Sequence, residues 1–152
     1  MKQVAREVYR YGTWVLLVLV IGQFVFAGMG VFSLLGPNAD AKGTSFLMIH
    51  AGVGPLVIFV LCLVMVACGF VGSMPRRLTG LPGILIGLII VQSLLLIPYH
   101  AAQGNAAASP IRFISGLHVV NALLIFWLAI QLPFWARHDL ESPLEVPRAA
   151  PA

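Results

Sequence analysis

Apolar residues in this chain gather into four long blocks separated by short polar breaks. Crossing a hydrocarbon core about 30 Å thick takes roughly 20 helical residues, and each block is about that long or longer. The first runs from Tyr11 to Leu35 and stops at Gly36-Pro37-Asn38, a strong turn cluster. The second, Ser45 to Gly69, is closed by Met74-Pro75-Arg76-Arg77. Thr79-Gly80 can cap the third, Leu81 to Tyr99, which holds Pro82 in its first turn, where proline is tolerated. Pro110 opens the fourth, which ends near Ala136. The expected fold is all-α: an up-down bundle of four transmembrane helices over residues 11–136, because its connections are short. Residues 1–10 precede it, and 137–152 follow as a flexible tail without apolar periodicity.

Composition agrees with a lipid solvent. Hydrophobic residues make up 60% of the 152 and charged residues 9%, against roughly 25% charged in a soluble domain. One core could not bury that much apolar surface. Lys2, Arg6 and Arg10 resemble a charged leader, but the block behind them is about twice too long for a signal h-region, which predicts a retained helix.

Lys and Arg set the orientation. Lys2, Arg6, Arg10, Arg76, Arg77, Arg137 and Arg148 fall on one side, and only Lys42 and Arg112 on the other. By the positive-inside rule both termini face the cytoplasm, which predicts a multi-pass protein of a bacterial inner membrane. Trp14 and Trp135 then anchor the same interface. The net charge of +4 reports topology and calls for no nucleic-acid partner. Cys62 and Cys68 stand on different faces of one helix, so they cannot pair and read as small packing residues.

No Asp, Glu, Lys or Arg lies deep in a span, but two histidines do. His50 is expected roughly 8 Å below the outer end of the second helix, and His118 roughly 10 Å below that of the fourth. These two helices run in the same direction, so the imidazoles share one level. An ionisable group in a bilayer costs several kcal/mol unless paired, which makes the pair a functional candidate. Two histidines on helices of one bundle suit a haem b ligated from both faces, with His50 and His118 as metal ligands. Each ligand would donate its second ring N–H, and the carbonyl four residues earlier in its own helix is the natural acceptor.

The neighbours are small. Gly54 lies one turn from His50, Gly52 is close by, and Gly116 and Ala122 flank His118. Ala27-Gly28-Met29-Gly30 reaches the same level on the first helix. Small residues from several helices at one depth make either a cavity or a close helix contact. Arg112 and Lys42 are candidates to neutralise haem propionates. His100, after Pro98-Tyr99, belongs to the outer interface, as a reserve ligand, a propionate partner or an interfacial residue without chemistry. Asn121 shares a face with His118 and can line the pocket; with Gln23 and Gln92 it can equally bond between helices. Gly83-x-x-x-Gly87 marks close packing within the bundle or against a partner chain.

Gln23-x-x-x-Ala27-Gly28-x-Gly30-Val31-Phe32, His50-x-x-x-Gly54 and Leu117-His118-x-x-Asn121-Ala122-Leu123 resemble a family of small, uncharacterised four-helix bacterial membrane proteins. The layout is also similar to one half of the haem A synthase family, which pairs two such bundles and ligates haem through histidines on the second and fourth helices. That resemblance implies His50 and His118 as axial ligands. It does not extend to haem hydroxylation: there is one bundle, no carboxylate stands at the outer end of the first helix or near His50, and Asp40 is in a loop.

The expected function is electron transfer or redox sensing by a haem b, with a quinone or a partner membrane subunit; no catalytic constellation stands out. A cofactor-free accessory subunit of a larger membrane complex is the alternative, its Leu, Ile, Val and Phe facing other chains. A pigment protein, with His50 and His118 each on a chlorophyll magnesium, is the third. A transporter would need an intramembrane charge pair or broken-helix repeat, and the sequence has neither.

Overall fold

The computed structural model describes residues 1–35, 41–97 and 109–141. Four helices in it are long and apolar enough to cross a membrane, so this is an all-helical, multi-pass membrane protein. Helix α1 spans Lys2–Leu35. Helix α2 starts as Ala41–Met48, passes through a π turn at Ile49–Val53 and continues as Gly54–Val71. Helix α3 is Arg76–Leu94 and α4 is Ser109–Glu141. The expected starts were late: α1 begins at Lys2 and not Tyr11, and α3 at Arg76 and not Leu81. The basic residues at these ends are good helix formers, so charge marks the interface without ending the helix. Helix α4 likewise continues past Ala136 to Glu141.

A Schellman motif turns α2 into α3. Met74 donates its N–H to the Gly69 carbonyl at 3.0 Å and Ser73 donates to Phe70 at 3.1 Å. Ser73 takes the left-handed conformation, φ 50°, where glycine is usual. Pro75 then sits just outside α3, in an extended conformation that suits the residue before a helix.

Helix α1 packs against α2 and α4, and α3 packs against the same two. Helices α2 and α4 therefore face each other across the bundle axis. The core runs along that axis, and its positions repeat. In α1, Ala5, Tyr9, Thr13, Leu16 and Val20 are buried; at one constant interval along the chain so are Met74, just before α3, and Leu78, Pro82, Leu85 and Ile89 within it. Buried Gly54, Ile58, Cys62, Met65 and Gly69 of α2 correspond likewise to Asn121, Ile125, Ala129, Leu132 and Ala136 of α4. The bundle is thus two helical hairpins, α1–α2 and α3–α4, packed about a pseudo-two-fold axis along the membrane normal. Cys62 and Cys68 are both free thiols.

Tyr9 and Leu78 hold equivalent positions, and the Tyr9 hydroxyl donates to the Leu78 carbonyl at 2.5 Å. Nearby, Arg6 Nε donates to the Gly72 carbonyl at 3.1 Å, and the Arg77 guanidinium lies 3.8 Å from the centre of the Trp135 ring. These contacts fasten the end of the bundle where α1 begins and α4 ends.

Candidate functional site

The expected pairing of the histidines is present at the opposite end. The His50 and His118 rings have centroids 6.3 Å apart and planes inclined at 75°. Both are half-buried and line one cavity of about 210 Å³, together with residues of all four helices, among them Gln23, Gln92 and Ala122.

The partner of each ring differs from the expected one. His50 Nδ1 lies 3.0 Å from the Gln23 carbonyl of α1, and His118 Nδ1 lies 3.2 Å from the Gln92 carbonyl of α3. The acceptors are on the neighbouring helix of the same hairpin, not four residues back in the histidine's own helix. A carbonyl only accepts, so each Nδ1 carries the proton. In a neutral ring so protonated the lone pair is on Nε2.

The π turn brings His50 to this place. His50 stands one residue farther from buried Gly54 than His118 stands from its counterpart Asn121. In a plain α-helix that extra residue would turn His50 about 100° away from the position His118 occupies. A π turn accommodates one additional residue, so the two imidazoles become equivalent about the axis. The signal was in the sequence, in the unequal spacings, but it needed the repeat to be seen first.

The small residues and Asn121 act differently from expectation. Gly54 does not line the cavity; a Cβ there would come 1.7 Å from Gln23 Nε2, so glycine makes room for that amide. Gly28 does not line it either, and a Cβ on Gly28, Gly52 or Gly116 would meet nothing within 4 Å. Gly30 is where α1 and α2 close up, against Leu47 and Gly43. Asn121 points to α3: its Nδ2 donates to the Leu88 carbonyl at 2.9 Å and to Gln92 Oε1 at 2.5 Å. Gln23 has no such partner, and its Oε1 is buried without a hydrogen bond. A Cβ on Gly83 or Gly87 would meet no atom of the described residues within 4 Å. His100 lies outside the described residues. Lys42 and Arg112 fall in the first turns of α2 and α4, and their side chains lie outside what is described.

The two imidazoles that line the cavity can therefore act as acceptors through Nε2, whereas the Gln23 Oε1 is buried. Two imidazoles bound to opposite faces of one metal ion, with bonds of about 2.0 Å, hold their centroids roughly 6 Å apart. Among the described residues no three His, Cys, Asp or Glu side chains come together. The pair thus suits a metal that brings its own equatorial ligands.

The model of a family of unknown function, DUF6220, matches residues 23–102, just over half of the chain. The match takes in Gln23, His50 and Gln92 and stops before His118. No curated protein and no solved structure matches the chain.

Proposed function

We propose that this chain, which belongs to the DUF6220 family, binds haem b between His50 and His118 and serves electron transfer within the membrane. The observation that carries this is the matched orientation of the two rings. Each Nδ1 is tied to a carbonyl of the adjacent helix, which is how ligating histidines are fixed in tautomer and direction. The centroid spacing of 6.3 Å suits two imidazoles on one metal. A porphyrin supplies the four equatorial nitrogens that the chain does not. Bound there, the haem would supply one-electron chemistry, and two histidine ligands leave no coordination position for oxygen. The layout resembles one half of the haem A synthase family, in which histidines of the second and fourth helices ligate haem. The lipid bilayer is the surrounding solvent, and a quinone or a partner subunit in it is the proposed redox partner.

The test is the absorption spectrum of the protein purified from haem-replete cells. A low-spin haem b spectrum is expected, and His118→Ala or His50→Ala abolishes it. If the histidines only pack helices, His118→Ala costs one hydrogen bond, about 0.6 kcal/mol. A colourless wild-type protein overturns the proposal.

One observation favours a second reading, an accessory subunit of a larger complex. Gly83 and Gly87 are open on the outside of α3, where another transmembrane helix packs closely against glycine. The two readings are compatible. A pigment protein is less favoured, because both histidines share one cavity and separate pigments need two.

A further inference from the structure

The two hairpins meet along two seams, α1 with α4 and α3 with α2, which the pseudo-two-fold axis makes equivalent. Their residues are not equivalent. The α1–α4 seam is closed by aromatic pairs: Trp14 meets Phe134 at 6.4 Å between centroids, and Phe24 meets Phe126 at 5.5 Å, both edge to face. By the intervals that relate the buried positions, Trp14 corresponds to Gly83 and Phe24 to Ser93. At the level of the histidines, then, one seam carries the Phe24–Phe126 pair, whereas the other keeps only Phe59, the counterpart of Phe126, and has Ser93 in place of the second ring.

Ser93 faces the α2–α3 seam. It lies two heptads from Thr79, which packs against Gly69 of α2. Pro55 lies two heptads from Gly69 on α2, and Ala51 is one turn from Pro55 on the same side. The seam that is tight at Thr79 and Gly69 is therefore flanked, near the histidines, by Ala51, Pro55 and Ser93. All three line the cavity, and Ala51 and Ser93 are also exposed on the outside of the bundle. The Ser93 hydroxyl turns back to the Ile89 carbonyl at 3.2 Å, which leaves only a Cβ and a bonded oxygen in the gap.

We propose that this gap between α2 and α3 is the lateral portal through which the haem, dissolved in the lipid, reaches the histidines edge first. The inference rests on the haem reading of the site. The cavity of about 210 Å³ is smaller than the 300–1,000 Å³ of typical small-molecule sites, so a bound tetrapyrrole extends into a seam. The plugged α1–α4 seam is the one where extension costs an aromatic contact. A lipid-facing gap also spares the haem a passage through water.

The experiment follows haem uptake by the full chain in liposomes, apo protein being mixed with haem and the Soret band recorded in time. Ser93→Phe, which copies the plug, is expected to slow uptake about tenfold or more and, because the bound ring reaches into the same seam, to weaken the final Soret band as well. Ala51→Leu narrows the same gap from the other helix, and slower uptake is expected there too. Phe24→Ser added to Ser93→Phe opens the opposite seam and restores the rate. Wild-type rates in both Ser93→Phe and Ala51→Leu, with normal final spectra, overturn the portal while leaving the haem site standing. A wild-type protein that takes up no haem overturns both. Should Ser93→Phe fail to fold, Ala51→Leu and the single Phe24→Ser variant decide: an unchanged rate in the first with a faster one in the second places access at the α1–α4 seam and refutes the proposal.

Discussion

The hairpins α1–α2 and α3–α4 present the same carbonyl to the same histidine nitrogen, but they treat the glutamine that owns the carbonyl in opposite ways. In α3–α4 the Gln92 amide is held by Asn121. In α1–α2 the position equivalent to Asn121 is Gly54, and the Gln23 amide fills the space that a side chain would take. The backbone contact to the histidine is thus the shared requirement, and the glutamine side chain is free to differ. The π turn gives the same lesson. One hairpin reaches the common geometry with a plain helix, the other with an extra residue and a local change of winding.

The most damaging way to break the equivalence is to remove that extra residue. Deleting Val53 restores α-helical winding and turns His50 about 100° relative to the rest of α2. If the proposed haem is held there, loss of its spectrum is expected, with the four spans still inserted. A deletion variant with unaltered absorption would show that the π turn does not set the ligand. Next is Asn121→Ala, which removes two hydrogen bonds and leaves Gln92 Oε1 without its donor. A loss of about 1–2 kcal/mol is expected in equilibrium unfolding from mixed micelles. The smallest effect belongs to Gln23→Leu, which keeps the carbonyl for His50 and deletes an oxygen that has no partner. Its stability should stay within about 0.5 kcal/mol of wild type. A loss as large as that of Asn121→Ala would mean that the two glutamines are not differently used.

Much of this molecule can be read without coordinates. Length and apolarity define the four spans, and the shared level of His50 and His118 follows from counting along parallel helices. The diagonal arrangement agrees with that count. What a single sequence did not convey is which backbone groups the rings would find. A carbonyl on a neighbouring helix leaves no compositional mark, and Gln23 and Gln92 were conspicuous only for their side chains. Glycines misled for a related reason. Gly28 and Gly30 were expected level with the histidines, but His50 stands beside Gln23, five and seven residues away along α1; Gly28 is open, Gly30 closes a helix contact and Gly54 receives an amide. Spacing gives depth only to within a turn or two, and facing depends on helix rotation, which the π turn alters part-way along α2.

The bond from Tyr9 to Leu78 bears on the order in which the protein can be completed. A phenol hydroxyl buried among packed helices is costly without an acceptor, and this acceptor belongs to the third helix to leave the ribosome. A nascent chain that ends after α2 holds a finished hairpin whose buried tyrosine still lacks its partner. Insertion of α3 supplies that partner and brings Gln92 alongside, before α4 delivers His118. The chemistry at one end of the bundle is thereby assembled last, on a scaffold already clasped at the other.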